Sequence, residues 1–356
     1  MTNAEAASPP PNLFAFASTL AILAMSIYFL VIGKDVFIPL VMGIFIAYLI
    51  VALAHTIERV RIGSFRPHGW VSMTCSIVLF LLGLAALVQL IAGNIGDAMG
   101  AAQQYQVRLE EVLGQINDFL ASAFNRRERL TLTGILEQID LRSLASRFAT
   151  ALEIVVGNTF EILIYVVFVL LEQRAFDHKL TAMFPDPARQ RALRHTLTEI
   201  GRRTEKYVLI KTLVSLLIGA TTYICLHSLS IDFAGFLSLL AFLANYIPYL
   251  GSAIGVGLPA IFALLQTGSL GLLAVIAGVL GGTHTLIGNV MEPRLMGRSL
   301  NISPLLMIVA LAAWGTMWGV AGMLLSVPIM VMTMITLAQF PSTRPIAVFM
   351  SADGNI

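Results

Sequence analysis

The stretch Asn245-Tyr-Ile-Pro-Tyr-Leu-Gly251 interrupts a long apolar passage and decides how this chain folds. Pro248 lacks the backbone donor that a helix needs, and Gly251 adds conformational freedom that a helix must lose. In a bilayer, backbone that leaves the helix must be satisfied by protein or by water in a cavity. Helices broken at membrane depth build the substrate sites of many transporters. The stretch therefore predicts a membrane transporter with its site near the break.

A second interruption of the same kind, Trp314-Gly-Thr-Met-Trp-Gly319, divides a later apolar passage. Each interruption separates a short apolar arm from a longer arm that contains a proline, Pro259 in the first and Pro328 in the second. Paired interruptions of this sort are a sequence indicator of a transporter binding site. We predict two re-entrant hairpins, since this arrangement leaves Arg294 and Arg298 in the cytoplasm, as the charge bias of membrane proteins favours. Two single crossing helices would place both cations outside.

The composition indicates a membrane protein. The 356 residues are 57% hydrophobic and 12% charged, with a mean hydropathy of +0.84, whereas soluble domains carry about 25% charged residues. The net charge of +2 and the lack of a long basic run give no indication of nucleic-acid binding. Cys75 and Cys225 lie singly in apolar runs, so we interpret them as packing residues rather than disulfide partners or metal ligands.

Apolar segments of about 20 residues, the length that spans a bilayer, divide the chain. The predicted fold class is all-α: a polytopic membrane protein with about eight membrane segments, two of them interrupted hairpins, plus an extramembrane helical module. The predicted parts are a disordered tail (1–12), N-terminal membrane helices (13–93), the module (94–150), a membrane helix (151–171), a cytoplasmic basic loop or helix (172–206), a core transport domain (207–338) and a cytoplasmic tail (339–356).

Two stretches outside the spans have helical patterns. Residues 94–150 show amphipathic spacing and predict an extracytoplasmic module, either a cap or subunit contact or a dedicated binding domain. Residues 172–211 carry nine Lys or Arg against five Asp or Glu, which indicates the cytoplasmic side. Asp186 followed by Pro187 predicts the start of a helix over 187–206. This helix either lies on the inner membrane surface or is a solvated connector.

The C-terminal half resembles the autoinducer-2 exporter family of bacterial membrane permeases. The matching motifs are Tyr246-Ile-Pro-Tyr-Leu-Gly251 with Pro259, Gly288-Asn-Val-Met-Glu-Pro-Arg-Leu-Met-Gly-Arg-Ser-Leu300, Ser303-Pro-Leu305 and Trp314-Gly-Thr-Met-Trp-Gly-Val-Ala-Gly-Met-Leu-Leu-Ser-Val-Pro328. The resemblance is close over about 207–338 and rests on layout elsewhere. It implies a multi-pass protein of the bacterial inner membrane with both termini cytoplasmic, and a homo-oligomer, a pentamer, that exports small solutes. Some relatives are assigned to the quorum-sensing signal autoinducer-2, others to exchange of Na⁺ or Li⁺ for protons.

Residues near the interruptions are candidates for solute contact and for hinges. A polar, uncharged solute needs hydroxyl and amide partners and aromatic faces. The substrate-binding candidates are Asn245, Tyr246, Tyr249, His284, Asn289 and Glu292; for each alone, interhelical hydrogen bonding or packing is the alternative. The hinge or gate candidates are Pro248, Gly251, Pro293, Gly297, Gly319 and Pro328, and Pro293 is predicted to end the helix that holds Asn289.

Glu161 lies in the predicted fourth span, where a charged residue costs about 2.5–3.5 kcal/mol on insertion scales. It is the candidate for coupling to H⁺ or Na⁺; the alternatives are a protonated helix contact and a position near the membrane interface. The chain has no Gly-x-x-x-x-Gly-Lys-Ser/Thr motif and no cofactor, metal or catalytic motif. The sequence thus predicts no enzyme, and three hypotheses remain: a permease that exports a small polar metabolite, a cation/proton antiporter, and a membrane scaffold without transport.

Overall fold

The computed structural model describes residues 13–59, 68–90, 157–183, 186–296 and 301–354, together with Gly114. Within these residues the chain is helical, and an isolated bridge between Ile302 and Ser351 is the one β interaction. The helices are α1 (Leu13–Ile32), α2 (Lys34–Arg59), α3 (Gly69–Leu90), α4 (Thr159–Met183), α5 (Pro187–Ser228), α6 (Ala234–Ala244), α7 (Leu250–Thr267), α8 (Leu270–Met296), α9 (Pro304–Ala338) and α10 (Arg344–Met350).

Six of the described helices are long and apolar enough to cross a membrane: α2, α3, α5, α7, α8 and α9. Leu20–Ile32 of α1 and the whole of α6 form shorter apolar helices. The predicted all-α, polytopic fold is confirmed. The predicted fourth span corresponds to α4, which is not among the six and carries Glu161 and Glu172 along its length. The predicted tail over 1–12 and, apart from Gly114, the module over 94–150 lie outside the described residues.

Helix α5 joins the basic stretch and the fifth span in one helix of 42 residues. Its N-terminus is capped by Asp186, whose carboxylate accepts a hydrogen bond from the Ala188 N–H at 2.9 Å, and Pro187 occupies the first helical position. A helix of this length extends about 63 Å, roughly twice the thickness of the hydrocarbon core. Its basic half therefore extends beyond the span. Whether that half lies on the inner membrane surface or is a solvated connector stays a prediction.

The middle of α5 lies at the centre of the bundle. Tyr207, Val214 and Ile218 are almost fully buried and belong to one hydrophobic cluster with Phe45 of α2 and Leu325 of α9. By contrast, α1 and α3 expose many large apolar side chains. Extended apolar surface of this kind marks contact with a membrane or a protein partner. Helix α5 is therefore the central helix of the bundle, and other helices pack around it.

The described bundle has two ends, and we call the one from which residues 187–206 emerge the basic end. Helix α8 finishes there, because Lys206 Nζ donates a hydrogen bond to the Met296 carbonyl at 3.0 Å. Helix α2 also finishes there, because His55 Nδ1 lies 3.3 Å from Glu205 Oε2. The start of α2 and the end of α1 therefore lie at the opposite end.

Helices α6 and α7 form hairpin 1, which enters from the opposite end. Gln266 closes its base by accepting a hydrogen bond from the Asp232 N–H at 2.8 Å and donating one to the Ser230 carbonyl at 3.1 Å. Ser230 and Asp232 lie just beyond the C-terminal end of α5, so the base of hairpin 1 is at that end of the helix. The tip, residues 245–249, contacts Ser215, which lies about 20 Å back along α5 from its end. The first predicted hairpin is confirmed.

Helix α9 is hairpin 2, which enters from the basic end. Gly319, with φ 61° and ψ −140°, reverses the chain in a conformation that favours glycine. The reversal brings Gly322 against the Trp314 carbonyl, although a straight helix separates residues eight apart by about 12 Å. At the tip, Trp318 Nε1 donates to the Leu30 carbonyl at 3.0 Å, at the opposite end of the bundle. The second predicted hairpin is confirmed, with its non-helical backbone concentrated at Gly319.

Spin labels at Leu305 and Thr336, both exposed, test hairpin 2 directly. The two arms of a hairpin pack at about 10 Å, so a label distance within about 20 Å is expected, whereas a straight helix separates residues 31 apart by about 47 Å. Pulsed electron–electron double resonance on labelled protein diluted with unlabelled protein measures the distance. Labels at Arg189 and Ala220, also 31 apart but on continuous α5, are the matched control and should give the long distance. A long distance for both pairs would contradict the hairpin.

The C-terminal tail forms a short helix against the base of hairpin 2. The Met350 carbonyl accepts a hydrogen bond from the Ser303 N–H at 3.0 Å, and the Ala352 N–H donates to the Asn301 carbonyl at 3.1 Å. Ala347 is fully buried. The chain beyond the last span is thus packed onto the bundle.

Candidate functional site

A layer of polar side chains crosses the apolar bundle where hairpin 1 breaks. We call it the polar layer. Its members are Lys211, Thr212 and Ser215 of α5, Asn245 and Tyr246 of the hairpin 1 tip, and Glu292 of α8. On α5 the three positions are i, i+1 and i+4, and each bonds to one of the other elements. The layer therefore ties both the broken backbone and the end of α8 to the central helix.

Lys211 and Glu292 form a buried ion pair. Lys211 Nζ lies 2.7 Å from Glu292 Oε1, and the two side chains are 7% and 17% exposed. A pair removed from water survives only with close geometry, because each charge alone costs several kcal/mol. Charged side chains inside membrane segments face the bundle interior and mark solute or ion pathways. This buried pair therefore marks the interface of α5 and α8 as a candidate pathway for a solute or an ion.

The hairpin 1 tip contributes an amide and a phenol to the polar layer. Asn245 Nδ2 donates to Ser215 Oγ at 2.9 Å in a buried contact. The Tyr246 hydroxyl donates to Thr212 Oγ1 at 2.7 Å, and Thr212 in turn donates to the Val208 carbonyl. Interhelical hydrogen bonds in membranes average only about 0.6 kcal/mol. Bonds of this strength hold the tip in position only weakly.

Pro293 does not end the helix that holds Asn289, so that prediction was wrong. Residues Thr285–Met291 are π-helical, and α8 continues through Glu292–Met296. A proline ring clashes with the carbonyl four residues earlier, and a wider helical turn before it relieves this clash. The structure therefore has a π-helical segment before Pro293 in place of the predicted helix end. Asn289 lies exposed on this wider segment, and π-helical segments occur frequently at functional sites.

His284 lies immediately before the π-helical segment and packs against hairpin 1. The side chain is 93% buried, at 7% exposure, and neither ring nitrogen has a hydrogen-bond partner among the described residues. A Cβ built on Gly255 would lie 2.5 Å from His284 Cε1, so the glycine makes room for the ring. The ring is thus held by close packing of α7 against α8.

Of the remaining tip candidates, Tyr249 is 57% exposed and has φ 65°. A Cβ on Gly251 would lie 2.7 Å from Asn245 Cα, so this glycine permits the close approach across the break. Pro248 lies in the non-helical tip, and Pro328 is buried inside the second arm of hairpin 2. These four residues shape the hairpins rather than line the polar layer.

Two further candidates lie away from the polar layer or outside the description. Glu161 is exposed in the first turn of α4, where a carboxylate is favoured by the helix dipole. The alternative that placed Glu161 near the membrane interface stays a prediction. Gly297 lies outside the described residues.

Three members of the polar layer were missed in the sequence, and all belong to α5. From sequence, Lys211 is grouped with the cations of the basic stretch, but only 6% of its surface is exposed, so it belongs to the bundle interior. Thr212 and Ser215 are not among the residues predicted from sequence for the site. A signal existed: polar residues at 211, 212 and 215 share one helix face inside an apolar segment. No group of three or more His, Cys, Asp or Glu side chains in the described part of the chain is arranged to hold a metal ion.

Two hairpins that enter from opposite ends, with a polar layer where the first one breaks, are the architecture of a multi-pass membrane transporter. A family model described as AI-2E family transporter matches residues 19–342. The chain belongs to this family, so the resemblance inferred from the four motifs is confirmed.

Three relatives each match more than four fifths of the chain. The AI-2 transport protein TqsA of Escherichia coli is 26% identical over 320 residues, which are 90% of each chain. A protein of Haemophilus influenzae described as a candidate transport protein is 29% identical over 324 residues, 89% of this chain and 90% of its own. YhhT of Escherichia coli, described in the same way, is 28% identical over 297 residues, 83% of this chain and 82% of its own.

Proposed function

We propose that the protein exports a small polar metabolite similar to autoinducer-2 across the bacterial inner membrane. The single observation that carries the proposal is the polar layer, which sets amide, hydroxyl and charged groups inside an apolar bundle at the break of hairpin 1. A polyhydroxylated solute offers donors and acceptors that match these groups. The name of the relative TqsA points to the same solute class.

The proposal includes an energy source and an arrangement in the membrane. The sequence has no nucleotide-binding motif, so the solute gradient or a coupled ion drives export. The basic end lies in the cytoplasm, as do both termini, because the cations of residues 172–206 favour that side. The unit in the membrane is a homo-oligomer, a pentamer by its likeness to the family.

Efflux from liposomes tests the export activity. Purified protein is reconstituted into liposomes loaded with autoinducer-2, and release is compared with that from protein-free liposomes. We expect faster, saturable release. Tyr246→Phe removes one hydroxyl from the polar layer and should raise the half-saturation concentration about two- to tenfold, since a hydrogen bond contributes about 0.5–1.5 kcal/mol. Release at the protein-free rate would contradict the proposal.

A second function, exchange of Na⁺ or Li⁺ for protons, is favoured by one observation. Glu292 is a carboxylate buried within the bundle, and its partner Lys211 must be displaced before a cation can bind. Glu161, the carboxylate proposed from sequence for this role, is exposed at the start of α4. The same liposomes with an internal pH dye test the exchange. Proton movement that depends on a Na⁺ gradient, and that disappears in Glu292→Gln protein whose circular dichroism spectrum is still that of the folded protein, supports it.

A further inference from the structure

His284 is a buried polar group that the contacts of the resting bundle leave unexplained. Its imidazole is 7% exposed, and both nitrogens lack partners among the described residues. Most buried polar groups have a hydrogen-bond partner, and an unmet one requires an explanation such as a ligand. Hairpin 1 covers the ring, since Gly255 of α7 lies against Cε1 and Nε2. A movement of hairpin 1 away from α8 would therefore uncover a ready donor and acceptor.

A single π-helical segment separates His284 from the buried ion pair. Thr285–Met291 is π-helical and connects His284 to Glu292, which pairs with Lys211. A π segment holds an extra residue, so its conversion to α-helix rotates one flank relative to the other by about 100°. Such a change would turn the imidazole relative to the ion pair.

We propose that neutral His284 binds a hydroxyl group of the transported solute once hairpin 1 has moved away from α8. The inference rests on the proposed export function and deepens it, because it assigns the solute to neutral polyhydroxylated compounds. A neutral imidazole offers one donor and one acceptor, and a hydroxyl group is both. The ring therefore suits a solute with adjacent hydroxyls.

The surroundings of the ring argue against a proton as its ligand. An imidazolium needs a nearby anion when it is buried. On α7 the ring lies against Gly255, which does not titrate. On its own helix the next acidic residue is Glu292, eight positions or about 12 Å away and already paired with Lys211. Burial beside a glycine favours the neutral ring, which can both donate to a hydroxyl group and accept from it.

The test compares two substitutions of the same side chain. His284→Leu removes both polar atoms, and His284→Asn retains a donor and an acceptor. In liposomes, His284→Leu should raise the half-saturation concentration for autoinducer-2 about tenfold, and His284→Asn should restore most of the loss. Wild-type efflux should be the same at pH 6 and pH 8 across a membrane without a pH gradient. Unchanged efflux in His284→Leu, or equal losses in both variants, would overturn the inference.

Thr204→Val is the matched control, because Thr204 Oγ1 is also buried without a partner among the described residues. It should leave efflux unchanged. Thermal midpoints with autoinducer-2, ribose or glycerol give a second measurement that does not need transport. A ligand-dependent rise in wild type that His284→Leu lacks supports the site; no difference between the two proteins overturns it. Binding without efflux would contradict the export function alone.

Discussion

Replacing Glu292 by Gln is expected to lower the free energy of unfolding by about 3–5 kcal/mol, because the substitution leaves a buried ammonium without its carboxylate. Lys211 is 7% exposed and lies 2.7 Å from Glu292 Oε1. Lys211→Met leaves the carboxylate unpaired and should be similarly damaging. Unfolding of the detergent-solubilised protein with increasing denaturant, followed by circular dichroism, measures the loss.

A double variant and an exposed pair are the controls for this prediction. Lys211→Met combined with Glu292→Met removes both charges and should recover most of the lost stability, since apolar replacements of buried pairs are often neutral. Lys179→Met removes an ion pair with Glu172 whose side chains are 59% and 54% exposed. Exposed pairs contribute about 0–1 kcal/mol, so this variant should remain close to wild type. Equal losses from Lys179→Met and Glu292→Gln would show that the buried pair has no special role.

The double variant also separates packing from transport. If the pair only holds α5 against α8, the double variant should transport at the wild-type rate. We expect stability to return without transport, because Glu292 joins the π-helical segment to the polar layer and its charge governs what can occupy that layer. Wild-type efflux from the double variant would assign the pair to packing alone.

The hairpins are predictable from sequence because their cause is local. Proline and glycine change the backbone at the positions that they occupy, and Pro248 and Gly319 both lie in non-helical backbone. The ion pair is not predictable in the same way. Lys211 and Glu292 are 81 residues apart, and only the packing of α8 on α5 brings them together. Lys211 also ends a run of cations, so its sequence context indicated solvent rather than the bundle interior.

The sequence around a residue also fails to predict its backbone conformation where two conformations are possible. Pro293 can be accommodated by a break or by a wider helical turn, and the residues around it favour neither. The structure adopts the wider turn, which keeps α8 helical as far as Met296. There the Met296 carbonyl accepts a hydrogen bond from Lys206. The continuous helix therefore makes a contact with α5 at the basic end. That contact joins residues 90 apart in the sequence, so local sequence cannot predict it.

Gly322→Ala is expected to destabilise the protein by about 1–3 kcal/mol or more, because hairpin 2 leaves no room for a side chain at this position. A Cβ there would overlap the Trp314 carbonyl oxygen and lie 2.9 Å from Trp318 Cβ. The overlapping atom belongs to the backbone, so only separation of the two arms can relieve the contact. In an ordinary helix the same substitution stabilises by up to about 1 kcal/mol. The sign of the change therefore distinguishes a hairpin from a continuous helix.

Gly83→Ala is the matched control, because Gly83 is an exposed helical glycine of α3 with no neighbour within 4 Å of a built Cβ. This variant should be as stable as wild type or slightly more stable. Denaturant unfolding compares the two variants, and the spin-label distance between positions 305 and 336 should lengthen in Gly322→Ala alone. Stabilisation by both substitutions would mean that α9 runs straight. The bundle would then contain one re-entrant hairpin, hairpin 1, and α9 would be a single crossing helix.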